Sequence, residues 1–344
     1  MEHPAVAAAR QLGDELLRPH AERVDVEGVP RSHLDALGSA GLMAASDLPP
    51  SAMREVTELL AAADASTWFV WTQHHTPVRT VRRGTNNELA ERLLAPLLAG
   101  TMLAGVAYTH LRRPGPPAVT ATRDGDGWRL DGEISWLTSW HLADIFCVGA
   151  QVAGTDQEDL VVWMLLPLRD TEGALAEPLG LAAMAGTSTL RVRLGNVRVS
   201  SADVALVEPL SEWRATDAAK TADVSPAVLG VTAETVRRLR ERGDALTDTV
   251  AEAIDEELGE LRASAYALAD DAAAGGHLEE RLALRAQAHL LAVRATTALV
   301  TVGAGRSMLL DSAAQRLARV ALFLLVQGQT AAVREATLRE LAAP

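Results

Sequence analysis

Along the first hundred residues, apolar positions recur at helical spacing. Val6, Leu12, Leu16 and Leu17 form one such set, and Leu34, Leu37 and Leu42 a second, with Gly41 near its end. Met53–Ala63 and Leu89–Leu98 repeat the period, so residues 1–100 read as a helical domain. From about Thr101 to Glu208 the rhythm shortens. Val119–Thr122, Trp128–Leu130, Ile145–Val152 and Leu160–Leu166 are strand-like runs. Asp124-Gly125-Asp126-Gly127, Asp131-Gly132 and Gly154-Thr155-Asp156 punctuate them as turns. Turn signals at this density predict an antiparallel sheet or barrel over residues 101–210. From Ser225 the helical period returns. Ser225-Pro226 reads as an N-cap and first helical residue, and Gly243-Asp244 as a break. Gly275-Gly276 reads as a C-cap, and Gly303 to Gly305 as another interruption. Wide apolar faces, with Leu261, Ala265 and Leu268 on one helix and Leu284, Ala288 and Leu291 on the next, predict a bundle over residues 211–344.

Composition narrows the functional classes. The chain has 344 residues, 48% hydrophobic and 22% charged, which is ordinary globular usage and excludes a disordered or low-complexity protein. No charge-free run approaches 18 apolar residues, so no membrane span is expected. The opening stretch MEHPAVAAARQLGDELLRPH has no basic segment leading into an apolar core, so no signal peptide is expected. The single cysteine, Cys147, permits neither an intrachain disulfide nor a cysteine metal cluster, and the expected compartment is the cytoplasm. A net charge of −13 argues against a nucleic-acid surface but leaves room for a local basic site. Only Lys220 among the 32 basic residues is lysine, a skew that reflects coding bias rather than an arginine-based function.

Local motifs give the order of elements a meaning. The segment DGWRLDGEISWLTSWHLADIFCVGA, Asp126 to Ala150, carries a strand, an Asp-Gly turn, a Trp-x-Thr and an Ala-Asp in succession. Met184-Ala185-Gly186-Thr187-Ser188-Thr189 and Leu194-Gly195-Asn196-Val197-Arg198-Val199 follow, and Leu93–Gly100 with Ala104–Tyr108 precedes. Together these segments resemble the signatures of the acyl-CoA dehydrogenase superfamily, and the resemblance spans nearly the whole chain. It implies an α+β multidomain fold, with an N-terminal α-helical domain, a middle antiparallel β-barrel and a C-terminal four-helix bundle. It also implies FAD, a small or thioester-bound substrate, and a homodimer or homotetramer formed through the bundle. By the same resemblance, Trp136 packs on the flavin ring and Thr138 meets its reactive edge. The bare sequence also admits Trp136 as a core residue of the barrel.

The chain departs from the family pattern at several points. Tyr108-Thr109-His110-Leu111-Arg112-Arg113-Pro114-Gly115-Pro116-Pro117 stands where the family has Thr-Glu-Pro and a small-residue loop. Tyr108 and Thr109 are therefore cofactor-binding candidates. Arg112 and Arg113 are candidates for a phosphate or carboxylate, or else a solvated basic face. The family's base, a glutamate in Glu-Gly-Thr, aligns with Gln327 of Gln327-Gly328-Gln329-Thr330. An amide cannot abstract a proton near neutral pH. Asp223, the carboxylate nearest the start of the first bundle helices, is the candidate for a relocated base, or a capping charge. Arg240–Ala245 stands where an Arg-x-x-Phe-Gly loop would reach the partner's flavin, so weak FAD retention or FMN use is expected. Gly303 and Gly305 are candidates for the pyrophosphate turn.

His74 and His75 form the remaining polar cluster of an apolar helix. Adjacent positions point about 100° apart, so at most one faces a cavity, and no i, i+4 partner makes a zinc pair. By the same resemblance, one of the two is a candidate to position a reactive oxygen species, as a cavity histidine does in flavin monooxygenases of this fold. The bare sequence also admits a helix-end histidine capped by its neighbours. Three functions stay open: a flavin-dependent oxidoreductase of oxygenase type without the glutamate base, a dehydrogenase with a relocated base, and a flavin-free scaffold.

Overall fold

The computed structural model describes residues 2–154, 159–170, 173–271 and 276–343; Thr155-Asp156 of one expected turn and Gly275 of one expected cap lie outside them. The N-terminal region comprises α1 (Pro4–Leu12), α2 (Ala21–Glu27), α3 (Arg31–Ser39), α4 (Pro50–Ala63), α5 (Ala65–Arg83) and α6 (Asn87–Ala99). Caps set their starts. Asp64 accepts from the Ser66 amide at 3.0 Å and the Thr67 hydroxyl at 2.6 Å, and Asn86 accepts from the Leu89 amide.

The strands are β1 (Ala104–Ala107), β2 (Val119–Asp124), β3 (Gly127–Leu137), β4 (Ile145–Val152), β5 (Leu160–Leu166), β6 (Ala174–Pro178), β7 (Leu190–Val199) and β8 (Val204–Pro209). They form one sheet in the order β6-β7-β3-β2-β4-β5-β8, with β1 beside β4. The β2–β3, β4–β5 and β6–β7 pairs are antiparallel, the first joined by the tight turn Gly125-Asp126. The sheet is nevertheless mixed. The chain leaving β3 crosses β2 before entering β4, so β4 runs parallel to both β1 and β2.

The C-terminal helices are α7 (Leu210–Thr221), α8 (Pro226–Arg240), α9 (Ala245–Asp271), α10 (Leu278–Gly303), α11 (Ala313–Val326) and α12 (Ala331–Ala342). Asp244 caps α9 through Thr247, and α10 stops at Gly303, as the sequence breaks predict. The stretch Leu278–Met308 is long and apolar enough, by length and composition, to cross a membrane. In the bundle it buries Leu291, Ala292, Ala295 and Leu299 against neighbouring helices.

The core is divided unevenly. N-terminal residues such as Val56, Leu60 and Trp71 share one apolar cluster with Val228, Leu258, Leu291 and Leu317 of the bundle. The sheet keeps its own core around Leu130, Ile134, Phe146, Val148 and Val192. Gly230 lets α8 lie directly on α4, because a Cβ there would stand 2.2 Å from the Glu58 carbonyl oxygen. The same seam buries Glu234, which receives Arg18 at 3.1 Å, Arg237 at 2.7 Å and Arg238 at 2.8 Å. The site forms where the sheet meets the helices.

Candidate functional site

A cavity of about 650 Å³ opens between the sheet and the ends of α5, α11 and α12. Its β wall carries Tyr108, Thr109, Trp136, Thr138 and Thr189; its helical wall carries Phe69, Gln73, Phe323 and the Val326–Ala331 connection. Sequence-distant candidates therefore converge here: Tyr108, Thr109, Arg112, Arg113, Trp136, Thr138 and Gln327.

Trp136 reaches the cavity through an irregularity that no alternation reveals. Leu130 and Ile134 of β3 are fully buried, and a period of two puts Trp136 on their face. Between Ile134 and Leu137, however, the pairing with β7 slips by one residue. This bulge sends Leu137 into the core and turns Trp136 outward, leaving it 47% exposed. Trp136 is therefore a cavity wall and not barrel filler.

Thr138 sits at the head of a buried hydroxyl chain. Its Oγ1 lies 2.8 Å from Thr189 Oγ1, which lies 2.8 Å from Thr187 Oγ1. Thr187 donates its only hydroxyl proton to the Met184 carbonyl at 2.7 Å. Each hydroxyl has one proton, so the direction propagates: Thr189 donates to Thr187, and Thr138 donates to Thr189. Thr138 thus faces the cavity as an acceptor. The two segments that hold this chain are strained, with left-handed backbone at Ser139 (φ 71°), Met184 (φ 60°) and Ser188 (φ 52°). Amide-to-carbonyl bonds from Ser139 to Thr187 and from Trp140 to Ser188 pin them together.

The helical wall is set by a helix end. α11 closes at Val326, Gln327 turns extended, Gly328 takes φ 68°, and Thr330 caps α12 by accepting from the Val333 amide. The Gly-x-Thr spacing thus has a local physical cause: a left-handed turn followed by an N-cap. Arg285 of α10 donates to the Gln327 carbonyl at 2.8 Å and to the Asp223 carbonyl at 3.0 Å. Burial pulls that guanidinium down to about 10.

Other candidates lie elsewhere. His74 ties α5 to its neighbours: Nδ1 accepts from the Ala104 amide at 3.1 Å and Nε2 donates to the Leu97 carbonyl at 3.0 Å. Burial lowers it to about 4, so it is a neutral tether. His75 is buried edge-on to Trp71 at 4.4 Å between ring centroids and does not line the cavity. The expectation that one of the two rings serves the cavity is not met: both are buried, His74 against the Leu97 carbonyl and the Ala104 amide and His75 against Trp71. Asp223 is taken by Arg281 at 2.7 Å and does not line the cavity. Gly303 and Gly305 belong to the α10 end and the turn after it, where a Cβ on Gly303 would strike Ser307 Oγ; neither lines the cavity. Arg240 pairs with Asp255 at 2.7 Å.

The two adjacent arginines part company. Arg112 makes a bidentate pair with Asp217 of α7 at 2.7 and 2.8 Å and lies over the Tyr108 ring, so its charge is already matched. Among the described residues, the Arg113 side chain meets only the Ser135 hydroxyl, at 3.3 Å. Arg214 of α7 fixes the loop by donating to the Leu111 carbonyl at 2.8 Å. Phe69, Phe323, Asp217, Arg285 and Arg334 escape sequence reading, because helices far apart in the chain bring them together. Among the described residues, those lining the cavity include no Asp, Glu, His, Lys or Cys. No cluster of metal-ligating side chains occurs among the described residues either.

A half-exposed indole, an acceptor hydroxyl beside it and apolar walls suit a planar aromatic ring with an N–H edge, and so fit a flavin. The architecture is that of the acyl-CoA dehydrogenases. Butyryl-CoA dehydrogenase from Megasphaera elsdenii superposes with a TM-score of 0.79 at 18% identity, covering 98% of this chain and 97% of that one. A glutaryl-CoA dehydrogenase from Mycobacterium smegmatis, solved in complex with FADH2, gives 0.79 at 18% identity over 98% and 93%. A dibenzothiophene monooxygenase from Paenibacillus sp. gives 0.76 at 16% identity over 98% and 96%. No protein-family model matches the chain, and no curated protein matches it in sequence.

Proposed function

We propose that this chain is a flavin-dependent oxidoreductase of oxygenase type that works without a carboxylate base. One observation carries the reading: the cavity presents Trp136 and the acceptor Thr138 but no described side chain able to take a carbon-bound proton. FAD is the expected flavin. It supplies two-electron redox chemistry and, when reduced, reactivity toward dioxygen. Trp136 would stack on the ring, Thr138 would accept from its N–H edge, and Phe69 and Phe323 would exclude water. Gln327 would hydrogen-bond substrate through an amide that is neither an acid nor a base near neutral pH. The substrate is a small or thioester-bound metabolite. Arg240 is engaged in an intrachain pair, which supports weak flavin retention and tolerance of FMN. The exposed Met308, Leu309, Leu310, Leu322 and Val326 support association through the bundle as a dimer or tetramer, and the single buried cysteine suits the cytoplasm.

Anaerobic mixing of flavin-loaded protein with octanoyl-CoA tests the reaction class. The natural protein is expected to leave the flavin absorbance unchanged. Gln327→Glu, whose carboxyl would be raised by its half-buried site, is expected to bleach it. Rapid bleaching by the natural protein would overturn the base-free reading in favour of a dehydrogenase.

A further inference from the structure

The cavity combines apolar walls with cations that have no counter-ion. Arg113 lines it from the β1–β2 loop and Arg334 from the first turns of α12. Among the described residues, neither has a carboxylate within ion-pair distance; Arg113 reaches only Ser135, and no side-chain partner meets Arg334. The neighbouring Arg112 shows what a compensated arginine looks like here, since Asp217 takes it with two hydrogen bonds. Arg334 is also placed against its helix. The first turn of α12 carries no acidic residue, and a cation near a helix N-terminus opposes the positive end of the dipole. Both residues are exposed, so their guanidinium groups are solvated rather than tied to a carboxylate and stay open to an anionic ligand at the cavity.

We infer that Arg113 and Arg334 form an anion subsite in the cavity, which takes an organic carboxylate or phosphate whose body lies on Phe69, Leu181, Met184 and Phe323. Guanidinium groups suit both anions, because each offers paired donors to two oxygens. The anion has two sources, the phosphate end of the flavin or the acidic group of the substrate; the inference rests on the proposed flavin site only for the first.

Two titrations separate them, each on the natural protein, Arg113→Gln/Arg334→Gln and Arg113→Lys/Arg334→Lys. Circular dichroism checks folding, which exposed arginines should leave intact. The first compares FMN with riboflavin by flavin fluorescence quenching. The second compares hexanoate and hexyl phosphate with hexanol by calorimetry, on the FAD-saturated protein or on the protein alone if no flavin binds. A preference for FMN over riboflavin of about tenfold to a hundredfold, lost in the glutamine variant and largely kept in the lysine variant, assigns the anion to the flavin. Equal binding of the two flavins, with a similar preference for hexanoate or hexyl phosphate over hexanol that is lost in the glutamine variant, assigns it to the substrate. If neither preference exists, or both survive the glutamine substitutions, the anion subsite is wrong. Failure of every flavin to bind would sink the flavin reading alone, since the calorimetric arm still decides the subsite.

Discussion

Charge is handled in opposite ways in the seam between α4 and α8 and in the cavity. In the seam, Glu234 has a side chain only 1% exposed and collects three guanidinium groups. Burial pushes its carboxyl up, yet hydrogen bonds from Arg237 and Arg238 win and hold it below its ordinary value. Elsewhere in the body, buried histidines avoid the problem by staying neutral. His74 and His110 are lowered to about 4 and His289 to about 3, each chiefly by burial. At the cavity, Arg113 and Arg334 meet no carboxylate among the described residues and stay exposed to solvent. Inside the fold charge is paired or withdrawn, whereas at the cavity it is left to solvent and to the anion inferred above.

Acid should break the body side of this contrast first. The three histidines are neutral when folded and take up a proton near pH 6.5 when unfolded, so the unfolded chain binds more protons below that pH. Their contribution is intact above pH 6.5 and is lost as pH falls toward 4. At pH 5 each costs about 2 kcal/mol, and calorimetric unfolding between pH 7 and 5 should show a steep fall in Tm. A flat Tm over that range would mean the rings titrate normally. Next in size, Glu234→Gln leaves three arginines around a neutral amide and should cost about 3–5 kcal/mol by chemical denaturation, with flavin binding at the distant cavity unchanged per folded molecule. A loss below about 1 kcal/mol would show that the seam does not depend on the pairing.

Two changes sharpen the cavity side. Trp136→Ala should weaken flavin binding by about 2 kcal/mol, from stacking plus lost apolar contact, with little change in stability because the ring is half exposed. A stability loss without a binding loss would return Trp136 to the core. The smallest effect concerns the hydroxyl chain. Thr187→Val removes the acceptor that directs Thr189, freeing Thr138 to donate. The flavin midpoint potential should fall by about 20 mV, equivalent to roughly 1 kcal/mol over two electrons. An unchanged potential would mean that Thr138 does not meet the redox edge.

Much of this frame can be read from the chain, and the reasons are local. Apolar spacing with glycine stops locates α4, α6, α9 and α10, since helices are set by neighbours three and four residues away. Trp136 and Thr138 are recognised as a pair because the motif around them is contiguous. What makes Trp136 available, the slip between Ile134 and Leu137, is not encoded in any alternation. The crossing of β3 to β4 is likewise a non-local choice. Arg112 cannot be distinguished from Arg113 without knowing that Asp217, 105 residues on, will arrive beside it. His74 and His75 mislead for a related reason, because the period that buries them does not say against what.

The left-handed residues at Ser139, Met184 and Ser188 have a consequence for how this protein could change over time. Each is held in a backbone shape that costs about 1 kcal/mol or more and that glycine adopts freely. At Met184 glycine would also empty a buried core position, which outweighs the relief. At Ser139 and Ser188 replacement by glycine would relax the fold locally while making the loop around the hydroxyl chain more pliable, so thermal robustness and ligand discrimination would move in opposite directions at these two positions. A lineage selected for heat tolerance would be drawn toward glycine there, and one selected for a sharply defined substrate would be held away from it.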